Sequence, residues 1–275
     1  MTLDNISLAA ERLERAALAE LHAAADGPTR ESLGLQQQII GTVLVSSARH
    51  EPSILLNRAI GLGVESAATP ETVDAVLGCY ATADVARFFF QLHPDARPPG
   101  MDRWLTAAGL EKTRGWMKFH RGPLAPPPVA SSLRVRPVTA DEAGDFARIV
   151  AAGFDLGEAA IPLLAALAER PGWRLYLSFA GDTPAGAAAL FVHDGLAWLD
   201  WAATVPAFRG RGSHTALLCR RIQDAVELGC RRLFTTTGEE VPGDPRRSYR
   251  NIEKVGFDAA YLRENHAPPR PAADA

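Results

Sequence analysis

The sequence predicts an α/β (α+β) fold built in two halves, and three observations carry that prediction. Apolar runs of strand length alternate with segments of helical periodicity along the whole chain. Both halves close in the same order: strand, helix, strand, helix, strand. Between them lies GPLAPPPVASS, Gly122 to Ser132, a Pro-rich stretch that can form neither a helix interior nor a central strand and reads as a semi-rigid spacer. The 275 residues suit two domains of ordinary size. The expected division is 1–121, a spacer at 122–132, a second domain at 133–265 and a frayed tail at 266–275. With 47% hydrophobic and 22% charged residues there is apolar material for real cores, which excludes a disordered or fibrous chain.

In the first half, residues 3–24 read as an Ala-rich helix. Gln38 to Ser46 and Ile54 to Ile60 read as strands. A helix then starts on three successive signals: Thr69 as N-cap, Pro70 at the first helical position and Glu71 in the first turn. Ala86 to Leu92 is an apolar strand, Met101 to Ala108 a short helix stopped by Gly109, and Gly115 to His120 a strand. After the spacer, Leu133 to Pro137 is a strand, and Ala140 to Phe154 and Glu158 to Ala168 are helices. Arg174 to Ala180, Pro184 to His193 and Leu196 to Thr204 are strands. The next helix places Leu218, Ile222, Ala225 and Val226 on one face, expects Arg221, Asp224 and Glu227 to face away, and stops at Gly229. Arg232 to Thr237 is a strand, Ser248 to Val255 a helix closed by Gly256, and Phe257 to Leu262 the last strand.

Charge narrows the function. The formal charge of −3, from 29 basic and 32 acidic residues, leaves no global footprint for nucleic acid or an anionic membrane, so any anion site must be local. Cys79, Cys219 and Cys230 are odd in number and lack metal spacing, which argues for a reducing compartment. Acidic residues interrupt each apolar run near the N-terminus, leaving no secretory h-region and no membrane span. A soluble cytoplasmic protein is expected. The histidines, His93 and His120 among them, have no metal-ligand spacing, and neither HExxH nor a Ser/His/Asp signature occurs, so no metal is expected.

Leu196 to His214, LAWLDWAATVPAFRGRGSH, carries the chemistry. A strand runs through Pro206 into an Arg-Gly-Arg-Gly turn and then an amphipathic helix. Gly210 and Gly212 let the backbone take positive φ and approach a ligand. The turn opens a helix N-terminus, whose unsatisfied N–H groups and dipole favour an anion, and Arg209 and Arg211 add charge. The pattern describes a pyrophosphate cradle; a solvated basic loop is the plain alternative.

About forty residues later comes SYRNIEKVGF, Ser248 to Phe257, a short amphipathic helix stopped by Gly256. VPAFRGRGSH followed by SYRNIEKVGF resembles the GNAT superfamily of acyl-CoA-dependent N-acyltransferases. Arg209-Gly210-Arg211-Gly212-Ser213-His214 matches its Arg/Gln-x-x-Gly-x-Gly/Ala motif, except that His214 stands where Gly or Ala is usual. The resemblance runs from Leu133 to about Asn265. It implies a mixed twisted sheet flanked by helices and acetyl-CoA as co-substrate. It also implies Arg209 to His214 as pyrophosphate site, Ala203, Thr204 and Val205 as pantetheine-pairing strand, and Ser248 and Asn251 within reach of the pantetheine arm; Ser248 could equally be an N-cap.

In the direct-transfer chemistry that the family implies, an amine attacks the thioester, backbone N–H groups stabilise the oxyanion and a base removes a proton. Asp200 is the candidate base, because ordinary alternation puts it on the face of Ala202 and Thr204. Asp194, Glu239 and Glu240 compete. Ile252 occupies the place where many members put the tyrosine that protonates the CoA thiolate, so Tyr249, three residues earlier and nearly on the same face, is the substitute acid. In the first half, Gly61-Leu62-Gly63-Val64-Glu65-Ser66 lacks the third glycine of a dinucleotide fingerprint and lies too far from the helix start. That half is instead similar to the C-terminal part of a GNAT domain without its phosphate loop: a degenerate, structural half-domain. The expected function is N-acetylation of a primary amine of a small molecule, with no nucleic acid or membrane partner and with a homodimer compatible. The alternative is a non-catalytic acyl-CoA-binding or regulatory module.

Overall fold

The computed structural model describes residues 4–129, 131–244 and 246–270. In chain order its elements are α1 (Asn5–Ala23), α2 (Gly27–Leu33), β1 (Leu35–Ile40), β2 (Val43–Ala48), β3 (Arg58–Ile60), α3 (Pro70–Thr82), β4 (Phe89–Leu92) and α4 (Asp102–Ala107). Next come β5 (Glu111–Arg121), β6 (Arg134–Pro137), α5 (Ala143–Gly153), α6 (Ile161–Ala165), β7 (Trp173–Ala180), β8 (Thr183–His193) and β9 (Leu196–Thr204). The chain closes with α7 (Ser213–Glu227), β10 (Arg232–Gly238), α8 (Arg247–Lys254) and β11 (Asp258–Ala267). Among the described residues no helix is long and apolar enough to cross a membrane.

Two compact units emerge. The first holds the described residues of Met1–Ala19, Arg30–Trp116 and Tyr261–Ala275; the second holds Glu20–Thr29 and the described residues of Met117–Ala260. The division differs from the expected domain ends on both sides. Met117 to Arg121 belong to the second unit because Phe119 is fully buried in its core, Lys118 sits over the Trp198 ring, and Thr236 Oγ1 donates to the Met117 carbonyl at 3.0 Å. Tyr261 onward belongs to the first.

In that first unit the strand order is β1-β2-β3-β4-β11, with only the β3–β4 pair parallel. The expected single run Gln38 to Ser46 is a hairpin, because Gly41 at φ 58° turns the chain. Of Ile54 to Ile60 only β3 is strand. The segment before it winds round the buried Asn57 amide, which accepts from Ala48 N–H at 2.6 Å and donates to the Glu51 and Ser53 carbonyls at 2.7 and 3.0 Å. α3 starts as expected, and its apolar face, Val73, Val76 and Tyr80, packs on Val43, Val45 and Phe90.

The expected frayed tail at 266–275 is corrected for its first residues. β11 continues to Ala267, and His266 and Ala267 are buried. A buried polar network holds it. Arg263 pairs with Glu11 at 3.2 Å and with Glu14 at 2.7 Å, Arg58 pairs with Glu14 at 2.9 Å, and Tyr261 Oη donates to Glu11 at 2.7 Å. Breaking such a pair would strand a buried charge, at a cost of about 3–5 kcal/mol. Residues 271–275 of that tail lie outside the described residues.

The second unit is an antiparallel meander, β6-β7-β8-β9, extended by β10 parallel to β9. α7 packs on one face through Leu217, Leu218, Ile222 and Ala225 against Ala188, Leu190, Ala197 and Leu199. α5 lies on the other face, where a side chain on Gly153 would meet Ala203 Cβ at 2.5 Å. The expected helix Glu158 to Ala168 is three pieces, a 3₁₀ turn, α6 and a second 3₁₀ turn, with Pro162 in the first turn of α6. Arg221 and Asp224 do not face solvent. Arg221 is 1% exposed, and Asp224 accepts from Tyr176 Oη and Arg220 Nε, both at 2.7 Å.

Candidate functional site

β9 and β10 pair from Leu196↔Arg232 to Leu199↔Thr235 and then separate. Thr235 Oγ1 closes the last rung by donating to the Leu199 carbonyl at 2.9 Å. Beyond it β9 continues against β8 alone, as far as Gly186↔Thr204. The edge of β9 from Asp200 to Thr204 is therefore open on its β10 side. Val205 N–H bonds to the Ala185 carbonyl at 3.0 Å. By ladder alternation Ala203 also turns its backbone groups to β8, while Thr204 turns its own to the open edge. Of Ala203, Thr204 and Val205, only Thr204 offers N–H and C=O for pairing with an extended ligand.

The turn that follows is built for close backbone approach. Pro206 to Phe208 form a 3₁₀ turn, and Gly210 and Gly212 sit at φ 78° and 83°. A side chain on Gly210 would meet nothing within 4 Å. Gly212 is the N-cap of α7 and supplies no side-chain cap, so the N–H groups of Ser213, His214 and Thr215 leave the helix end without intrahelical acceptors. Arg209 and Arg211 are exposed beside them. Open space, orphaned donors and two guanidinium groups together fit a pyrophosphate.

The side chains of the last two motif residues do something other than face an anion. Ser213 is buried, and its hydroxyl shares a 2.8 Å hydrogen bond with Ser178, so only its N–H remains for a ligand. Half-buried His214 accepts from Asn251 Nδ2 on Nδ1 at 3.1 Å, which leaves the ring proton on Nε2. Burial, helped by the Arg221 charge, lowers the His214 pKa to about 4, so the ring is neutral at physiological pH. Asn251 thereby joins α8 to the first turn of α7. Ser248 lies within α8 and is exposed; the N-cap is Arg246, at φ 51°.

Asp200 departs from the expected face. A bulge interrupts the β8–β9 ladder: Ala187 pairs with Ala203 but Ala189 pairs with Asp200. The extra residue shifts the alternation, so Asp200 shares the face of Ala203 rather than that of Ala202 and Thr204. Its carboxylate accepts from Trp201 N–H at 2.8 Å and from Trp198 Nε1 at 3.1 Å. Trp201 itself stands at φ 51° and meets the Phe154 ring edge-on at 5.3 Å. Of the competing carboxylates, Asp194 lies in the β8–β9 turn, at the far end of β9 from the open edge. Glu239 and Glu240 follow β10 at the open end, and Glu240 pairs with Arg246 at 2.8 Å.

Tyr249 packs edge-on against Phe119 at 4.8 Å and under the Arg246 guanidinium at 4.7 Å, and Ile252 is a core residue. Sequence reasoning missed Arg221, whose Nη1 reaches two carbonyls at the bulge. A charge at a position of the α7 helical pattern reads as solvated, and nothing local marks it otherwise. Among the described residues no group of three or more His, Cys, Asp or Glu is placed to hold a metal.

Residues 157–241, from the turn before α6 through β10, match the family model described as Acetyltransferase (GNAT) domain. Solved structures similar to the chain include a GCN5-related N-acetyltransferase from Kribbella flavida. It is 19% identical, with TM-score 0.63 over 92% of this chain and 96% of that one. A GCN5-related N-acetyltransferase from Sphaerobacter thermophilus is 15% identical, with TM-score 0.56 over 98% and 94%. A tandem GNAT protein from the clavulanic acid biosynthesis pathway is 14% identical, with TM-score 0.56 over 98% of each chain. Among curated protein sequences none matches. The chain shares the fold of these GNAT structures, a tandem GNAT protein among them, and its residues 157–241 match the GNAT acetyltransferase domain model.

Proposed function

We propose that the protein is an acetyl-CoA-dependent N-acetyltransferase acting on a primary amine of a small molecule. One observation carries the reading: the uncapped N-terminus of α7 follows directly from the strand whose outer edge is open from Asp200 to Thr204. An anion at the helix end and an extended arm along Thr204 would put a thioester beside the bulge. There the amine forms the new C–N bond as the C–S bond breaks. Asp200 is the proposed base for the ammonium proton, and the Tyr249 hydroxyl the proposed donor to the leaving thiolate. Arg209 to His214, Ser248 and Asn251 are the proposed cofactor contacts, through backbone N–H at Ser213 and through Nε2–H at His214. The first unit, which lacks such a loop, is proposed to be structural, and the enzyme to work without a metal in the cytoplasm.

The test is acetyl-CoA turnover against a broad panel of amines, followed by release of free thiol. Amine-dependent release is expected, slowed about tenfold by Tyr249→Phe with acetyl-CoA affinity unchanged. A wild-type rate in that variant removes Tyr249 as the acid. Binding without release across the panel favours the second reading, a non-catalytic acyl-CoA-binding or regulatory module. That reading draws on Ile252 lying in the core and on Tyr249 packing between Phe119 and Arg246.

A further inference from the structure

We propose that Arg221 is a positioning residue that sets the bulge of β9 and thereby the open edge along which the acyl-CoA arm binds. The proposal rests on the reading of that edge given above. Arg221 projects from α7 and is 1% exposed. Its Nη1 donates to the Ala189 and Asp200 carbonyls, both at 3.0 Å, and its Nε donates to the Leu217 carbonyl at 3.1 Å. Ala189 and Asp200 are the pair at which the β8–β9 ladder resumes after the bulge.

Three physical points converge on this contact. A bulge disrupts the ladder locally, and a buried carbonyl without a donor is costly, so the bulge needs donors from elsewhere. A planar guanidinium can serve two carbonyls at once, which an ammonium or an amide does less well. The peptide between Asp200 and Trp201 is moreover held at both ends: Arg221 takes its carbonyl, and the Asp200 carboxylate takes its N–H at 2.8 Å. That grip holds Trp201 at φ 51°, a conformation a bulky aromatic residue rarely adopts. Carbonyl dipoles surround the guanidinium on three contacts, and the Asp200 charge favours its cationic form against the cost of burial.

The consequence for binding follows from strand geometry. Losing the extra residue would flip every position beyond it by one. The Thr204 N–H and C=O would then turn from the open edge into the β8 ladder. Among the described residues Arg221 makes no hydrogen bond to Thr204 or to the Arg209–His214 turn; its contact with β9 is at the Asp200 carbonyl, at the bulge.

The experiment compares Arg221→Met, Arg221→Gln and, as a buried α7 control away from the bulge, Ile222→Val, all in the full chain. Acetyl-CoA affinity is measured by calorimetry at a temperature where far-ultraviolet circular dichroism shows each variant folded. The bulge is read from the near-ultraviolet signal of Trp201, isolated by difference against Trp201→Phe. We expect at least a tenfold loss of affinity in Arg221→Met and a smaller loss in Arg221→Gln. Ile222→Val should stay within twofold of wild type. The Trp201 signal should collapse in Arg221→Met and persist in Ile222→Val. Wild-type affinity with a wild-type Trp201 signal in Arg221→Met would overturn the proposal, as would the same result in Arg221→Gln should the Met variant not fold. If the wild-type chain itself fails to bind acetyl-CoA, the functional reading falls, and the Trp201 signal still decides whether Arg221 sets the bulge.

Discussion

The turns that lead into α3 and α7 share a topology and differ in chemistry. Each follows a strand, β3 or β9, that pairs in parallel with the strand after the helix, and each carries a Gly-x-Gly. In the first unit the backbone of the turn is already spent. Arg97 N–H donates to the Gly63 carbonyl at 2.9 Å, Ala68 N–H donates to the Arg97 carbonyl at 2.8 Å, and a side chain on Gly63 would lie 2.6 Å from that same carbonyl oxygen. The helix start is spent as well. Thr69 and Thr72 form a capping box, and Glu71 places a carboxylate there whose pKa is lowered by the Thr69 hydroxyl and by its own N–H. α3 thus carries its own anion. α7 carries none, has no side-chain cap and opens behind Gly210 onto free space. An anion site at a helix N-terminus is made by leaving these groups unspent, and a glycine pattern alone does not say which case applies.

The sharpest way to break the comparison is to spend the second turn deliberately. Gly212→Glu puts a carboxylate where the phosphate should sit and a side chain on a residue at φ 83°. Acetyl-CoA affinity should fall by more than about a hundredfold, roughly 2.7 kcal/mol. Calorimetry on the folded variant decides it, and an unchanged affinity would remove the cradle assignment.

The contrast also marks what the sequence could show. The start of α3 was legible because Thr69, Pro70 and Glu71 act locally, and the α7 turn because Gly210 and Gly212 do. The parity of Asp200 was not, since a bulge is defined by the facing strand and Ala187 to Ala189 say nothing of it in one dimension. Arg221 was misread for a related reason: the acceptors of its Nη1 lie on β8 and β9. The destination of Tyr261 to Ala267 depends on Glu11 and Glu14, some 250 residues earlier, and no local pattern links them.

A gentler test asks whether capping or packing closes the first turn. Thr69→Ala with Glu71→Gln strips the cap and the charge from α3 but leaves Arg97 in place. Placed in the Gly212→Glu background, the pair should give no acetyl-CoA binding, because Arg97 still fills the turn. Urea denaturation should show a loss of about 1 kcal/mol from the Thr69 cap. Binding gained in that background would make capping, not the Arg97 contact, the difference between the two turns.

The smallest effect comes from the residue that most separates the first turns of the two helices. α3 has no titratable group at physiological pH there, whereas α7 has His214, with its pKa lowered to about 4 by burial and by Arg221. An unfolded histidine titrates near 6.5. Between pH 6.5 and about 4 the unfolded chain therefore binds a proton at this position that the folded chain refuses, so stability falls as pH is lowered through that window. His214→Gln removes the proton uptake while keeping an amide that can meet Asn251. Denaturation at pH 7 and pH 5 should show the variant losing about 1–2 kcal/mol less than wild type over that interval. Part of the acid sensitivity should remain, because His93 and His266 in the first unit are also held below their ordinary pKa by burial. A neutral ring further requires acetyl-CoA affinity to be flat from pH 6 to 8 as far as His214 is concerned. A wild-type slope in the His214→Gln denaturation data would show that the imidazole is not shielded, and the Asn251 contact would then lose its role in keeping the α7 turn ready for an anion.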